Sequence, residues 1–205
     1  MSSEGQVTEV KYFTELKNRI PKRFFNNFDI IVCKRKPEDQ NNSSPANVLA
    51  SAEEFIKDIS PTINPERDEV CIVVDLDKWP EAQLAAVRQL CVQKKFMMLV
   101  SNPCFEIWLL LHHIDCSQLP DEEKNNLLGK QRHPRKDKKH PMKAKLSSVI
   151  EGYDCSNPDI DKFYPFTNIA IINSEKLDDG KDWPNNLGTK MHILMKKIPP
   201  FSGQR

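Results

Sequence analysis

Two apolar runs, "EVCIVVD" (69–75) and "FMMLVS" (96–101), flank the stretch "PEAQLAAVRQLCVQK" (80–94), and this order of elements constrains the fold more than any other feature. Both runs are continuously apolar, the first is rich in β-branched residues, and each has the length of a buried strand. The stretch between them opens on a proline suited to a helix start, and Leu84, Val87 and Leu90 or Cys91 recur on one helical face. A strand, a helix and a strand at this spacing predict a parallel α/β sheet. Sheets of that kind bind ligands at the carboxyl ends of their strands, which is where chemistry-bearing residues are sought.

The rest of the chain extends the alternation. Phe13, Leu16 and Ile20 repeat at helical spacing, with Thr8 placed to cap that helix and Glu9 in its first turn. "FDIIVC" (28–33) reads as a short buried strand, and a loop rich in Asn, Ser and Pro (37–46) leads to a helix near 46–59. "NPCFEIWLLLHH" (102–113) reads as a helix, with Ser101 or Asn102 as its cap and Pro103 in its first turn. A helix near 142–151, a proline-broken polar stretch and an amphipathic helix from Leu187 to Lys197 follow.

A length of 205 residues suits one domain, or one domain with an appendage. A net charge of +1 argues against a uniformly basic nucleic-acid coat but leaves room for a local patch. No apolar run reaches about 18 residues and no signal-peptide pattern is present, so a soluble, cytoplasmic protein without membrane contact is expected. The six cysteines are dispersed without a CxxC pair, and several sit in apolar runs where a thiol acts as a small hydrophobe. His112, His113 and Cys116 supply half of a zinc site with no second half to match, so reduced cysteines are the better reading.

Acids gather at the predicted carboxyl edge. "VVDLDKW" ends its strand with Asp75 and Asp77, which point the same way because residues two apart in extended chain share a face. Magnesium prefers such hard carboxylate oxygens, although two acids after a strand also begin many solvated turns. Glu106 falls near the start of the helix after the second strand, where a carboxylate also complements the helix dipole. "EGQVTE" adds Glu4, and Glu9 beyond it, from a third segment. Acids converging from three segments repel one another unless a cation joins them, and metal-clamped carboxylates are a known solution for phosphoryl chemistry. Downstream, Lys130, Arg132, Arg135, Lys136, Lys138, Lys139, Lys143 and Lys145 face a single acid, Asp137, within 130–145. A charge run is commonly a solvated loop; beside an acidic metal site it reads as an arm gripping a nucleic-acid backbone. No aromatic residues interleave with it, which argues against base stacking.

"EGQVTEVKYF", "VVDLDKW" and "SNPCFEIWLLLH", in this order and spacing, resemble the RloB family, whose members are similar to the Toprim nuclease domains of topoisomerases, primases and OLD-type nucleases. "NNLGTKMHILMKKI" (185–198) resembles the closing helix of that family, with Leu187-Gly188 where a Pro-Ser or similar pair is usual. The resemblance implies a Toprim-like parallel sheet flanked by helices, with a catalytic core over 1–115. A basic segment and a smaller, mainly helical C-terminal extension would fill 116–205. It implies Glu4 as general acid/base or metal ligand, Asp75 and Asp77 as the magnesium (or manganese) pair, and Glu9 and Glu106 as further metal-shell acids. Trp79 and Trp108 are expected to pack near the site. The implied activity is that of a metal-dependent endonuclease of a phage-defence or abortive-infection module, such as the AbiL pair, cutting RNA (tRNA included) or DNA beside an AAA or ABC-type ATPase. A homo-oligomer is among the assemblies it allows. Members carry an apolar strand before Glu-Gly, and here only Met1, Ser2 and Ser3 precede Glu4. That departure predicts a sheet short of one strand and a poorly placed Glu4. It also supports an alternative reading, a weakly catalytic Toprim-like binding or sensor module that docks an ATPase.

Overall fold

Cys71–Asp75 (β2) and Met97–Asn102 (β3) form the parallel pair at the centre of the sheet, joined through the helix Glu81–Lys94 (α3). The computed structural model describes residues 1–24, 28–34, 42–59, 63–64, 66–76, 79–129 and 140–201. Alternation along β2 feeds two separate cores. Cys71 and Val73 pack with Leu99 on one face, against Tyr12, Phe13 and Trp108. Ile72 and Val74 pack with Met98 and Val100 on the other, against Val48 and Leu49 of the helix Pro45–Ile59 (α2) and Leu84 and Val87 of α3. Burial on both faces is what a continuously apolar strand requires. Cys91 completes the buried stripe of α3 while Leu90 stays exposed, and Pro80 sits immediately before the first helical residue.

Among the described residues the sheet has four strands, in the order β1-β2-β3-β4, and is mixed. Its first strand, β1, is Ser2–Ser3, parallel to β2 with Ser2 opposite Ile72 and Ser3 opposite Val73. The strand expected to be missing is therefore present in two residues. Met1 extends it, since its ammonium donates to Ile31 O (2.8 Å) and its carbonyl accepts from Cys33 N (2.7 Å). Residues 28–33, expected as a strand, do not form one; they bond to Met1 at these points, and a neighbour so short cannot carry a ladder.

The fourth strand makes the sheet a mixed one at its far edge. Gly188–Thr189 (β4) runs antiparallel to β3, with Thr189 opposite Ser101 and Gly188 opposite Asn102. Residues 187–190 were expected to be helical; only Met191–Met195 forms the helix there. The cause is that Ser101 Oγ and Thr189 Oγ1 (2.8 Å), together with Lys190 N donating to Val100 O (3.0 Å), hold this stretch extended.

The helix after β3, Glu106–Leu111 (α4), is shorter than predicted. Ser101 and Asn102 finish the strand instead of capping, and Pro103 lies ahead of the helix. The opening helix Thr8–Arg19 (α1), Asp121–Leu127 (α5), Pro141–Val149 (α6) and Thr167–Lys176 (α7) complete the larger helical elements, with Met191–Met195 as α8. The stretch read as polar and proline-broken thus contains α7, which packs on α4 and α8. One core runs from Tyr12 through Trp108 to Met195 and Phe201, so residues of both halves of the chain share it. Among the described residues no helix is long and apolar enough to cross a membrane.

Candidate acidic site at the carboxyl edge of the sheet

The parallel register places the ends of β1 and β2 side by side, and Glu4 is the residue that leaves β1. Its N–H donates to Val73 O (2.8 Å), which carries the pairing one residue past the strand. Its carboxylate then lies across the end of β2, where Oε2 accepts from the backbone N–H of Asp75 (3.1 Å) and from Trp79 Nε1 (3.0 Å). Glu4 is buried. The expectation of a loose Glu4 is overturned, because two donors and a strand bond fix it.

Gly5 and Glu9 explain the spacing in "EGQVTE". Gly5 N donates to Glu9 Oε1 (2.9 Å), and a Cβ built on Gly5 would overlap the Glu9 carboxylate. Only glycine allows that approach. Thr8 is the first residue of α1 and not its cap; its hydroxyl donates to Cys155 O (2.7 Å), and Val7 occupies the cap position without a side-chain bond. From β2, Asp75 Oδ1 accepts from Phe105 N (2.8 Å), which ties the strand end to the turn before α4. Glu106 opens α4, and Lys143 of α6 reaches it at 3.4 Å.

Glu4, Glu9, Asp75 and Glu106 all line one cavity of about 400 Å³, together with Lys143 and His140. Burial pushes the Glu9 carboxyl up to about 7, and the charges of Glu106 and Glu4 add to the rise against two backbone hydrogen bonds that oppose it. For Lys143, burial works against the charged form, but the pull of Glu106 prevails and the amine is raised above its ordinary value. The cavity therefore has a negative surplus. Carboxylate-rich donors of this kind fit a hard divalent cation in their chemistry. Among the described residues no three His, Cys, Asp or Glu stand close enough to hold an ion as they are. Asp77, the second acid of "DLD", lies outside the described residues.

Of the basic segment, Lys130, Arg132, Arg135, Lys136, Lys138 and Lys139 also lie outside the described residues. Lys143 comes to the acids, whereas Lys145 pairs with Glu123 at 2.6 Å. His140 caps α6 by accepting from Met142 N (3.3 Å). Trp108 is fully buried and donates to Tyr12 Oη (3.0 Å), a packing role. Trp79 does more than pack, because it holds Glu4; its place just past the strand-end acids was the only sequence signal for that. His112 is a core residue bonded to Trp108 O (2.9 Å), and burial pushes its imidazole down to about 3, so it stays neutral.

A family model described as RloB-like protein matches residues 1–198 of this chain. Comparison with curated proteins gives no match, and comparison with solved structures gives none.

Proposed function

The chain belongs to the RloB-like family, and from that premise we propose that it is a metal-dependent nuclease that hydrolyses phosphodiester bonds in RNA, tRNA included, or in DNA. We read it as the effector of a phage-defence module that works beside an ATPase of the AAA or ABC type. The observation that carries this reading is the meeting of Glu4, Glu9, Asp75 and Glu106 in one cavity at the carboxyl edge of the sheet. Magnesium or manganese would be held by these carboxylates with Asp77, and when bound it would polarise the phosphodiester and supply a nucleophilic water at neutral pH. The residues of the chain do the positioning. Trp79 and the Asp75 N–H aim the Glu4 carboxylate across the strand end. Phe105 N holds Asp75. Lys143 offers positive charge to an incoming phosphate, with the basic segment 130–145 as a grip on the backbone. The sensor-module alternative rested on a missing first strand, and β1 removes that support.

The test is incubation of the purified protein with labelled tRNA and with plasmid, with and without magnesium or manganese. Asp75→Asn keeps an oxygen for Phe105 N and so preserves the fold, while losing a ligand should lower the cleavage rate by roughly a thousandfold or more. Wild-type cleavage by Asp75→Asn overturns the metal-nuclease reading.

A further inference from the structure

Two basic side chains line this cavity beside its four carboxylates, and both come from the start of α6: His140 and Lys143. Lys143 is engaged by Glu106 at 3.4 Å. His140 is half-buried and is held from the other side. Its Nδ1 accepts from Met142 N (3.3 Å), so that nitrogen presents a lone pair and carries no proton. An imidazolium has an N–H at both positions and could not accept this bond, so the ring is neutral with its proton on Nε2. Among the described residues Nε2 makes no hydrogen bond. A Cβ built on Gly129 would stand 3.5 Å from Nε2, so the two residues that bound the basic segment, Gly129 and His140, meet at this edge of the cavity.

We infer that His140 binds a nonbridging oxygen of a phosphodiester through its Nε2–H, next to the charge supplied by Lys143. This assignment rests on reading the cavity as a phosphodiester site. An anion that approaches four carboxylates needs donors without negative charge, and a hydrogen bond to a charged oxygen is roughly twice as strong as one between neutral groups. The bond from Met142 decides which nitrogen is left for the cavity, and so makes the ring a donor there and not a base. Surrendering the Nε2 proton would leave an imidazolate, so the role is binding and not acid catalysis.

Asparagine and glutamine separate the two nitrogens. In His140→Asn the amide oxygen takes the place of Nδ1 and keeps the cap on Met142 N, but no donor reaches as far as Nε2. In His140→Gln the amide nitrogen reaches the place of Nε2 while the cap is lost. Fluorescent oligo-dT and oligo-dA are titrated with each protein in EDTA, where metal-dependent cleavage cannot occur, and thermal melts are recorded alongside. His140→Asn should melt as wild type does and bind both probes about tenfold more weakly, the scale of one hydrogen bond to a charged group. His140→Gln should melt about 2–4 °C lower, as loss of a cap predicts, and should recover most of the affinity. Binding by His140→Asn equal to wild type, no recovery in His140→Gln, a loss confined to one probe, or no binding by wild type would each overturn the inference. The nuclease reading is decided separately by Asp75→Asn in the cleavage assay. Metal-dependent cleavage lost in Asp75→Asn, with normal binding by His140→Asn, keeps that reading and removes this one. Weaker binding by His140→Asn, recovery in His140→Gln and no cleavage by wild type do the reverse.

Discussion

A methyl group added at Gly5 would overlap the Glu9 carboxylate, so Gly5→Ala forces either α1 or the Glu9 side chain to shift. Overpacking of this sort costs about 1–3 kcal/mol, and shortening the obstacle in Gly5→Ala/Glu9→Ser should recover part of it. Chemical denaturation of the two variants checks this; equal stabilities would show that the contact relaxes freely. Glu9 also makes stability depend on pH. Its folded pKa of about 7 lies above the ordinary 4.5, so the folded protein keeps a proton that the unfolded chain has released. Stability is therefore fully present below about 4.5 and is lost as pH climbs to about 7. Glu9→Gln removes the ionisation, and should raise the melting temperature above that window while changing it little below. A melting-temperature difference that is constant with pH would reject burial as the source of the shift.

Between elements, the informative contact is the one from α1 to the segment that carries Cys155. Thr8 donates to Cys155 O, a role that differs chemically from capping, because a cap must accept. Thr8→Ser keeps the donor. Thr8→Asp would satisfy a cap but cannot donate when ionised, and should destabilise by roughly 1–3 kcal/mol as Cys155 O loses its partner. Thermal melts that rank Asp level with Thr would restore the capping role. The elements differ in how far the sequence revealed them. β2, β3 and α3 were legible because apolar runs and helical spacing are local signals. β1 is Ser-Ser and β4 is Gly-Thr, and neither pair has a strand propensity to read; each is a strand because β2 or β3 supplies its hydrogen bonds. For the same reason the acids at strand ends could be read from the sequence, while the Trp79 bond to Glu4 could not. That bond depends on where distant segments come to rest.

For the molecule as a whole, the sheet is closed by residues from both ends of the chain. Leu187, Met191, Met195, Ile198 and Phe201 are buried in the same core as Tyr12 and Trp108. A chain ending before Leu187 would leave that core open and remove β4. At about 2 kcal/mol for each buried side chain the loss is roughly 10 kcal/mol, comparable to the net stability of an ordinary domain. Far-ultraviolet circular dichroism of the truncated chain should show a largely unfolded protein; a cooperative melt near that of wild type would contradict it.

The lateness of β4 has a consequence in time. Thr189 is made 88 residues after its partner Ser101, so the edge of β3 away from β2 stays open while that stretch is synthesised. Contacts between such distant positions form last because the intervening chain must be ordered first. The residues described as lining the acidic cavity, Glu4 to Lys143, are therefore all synthesised before the strand that covers this edge of the sheet.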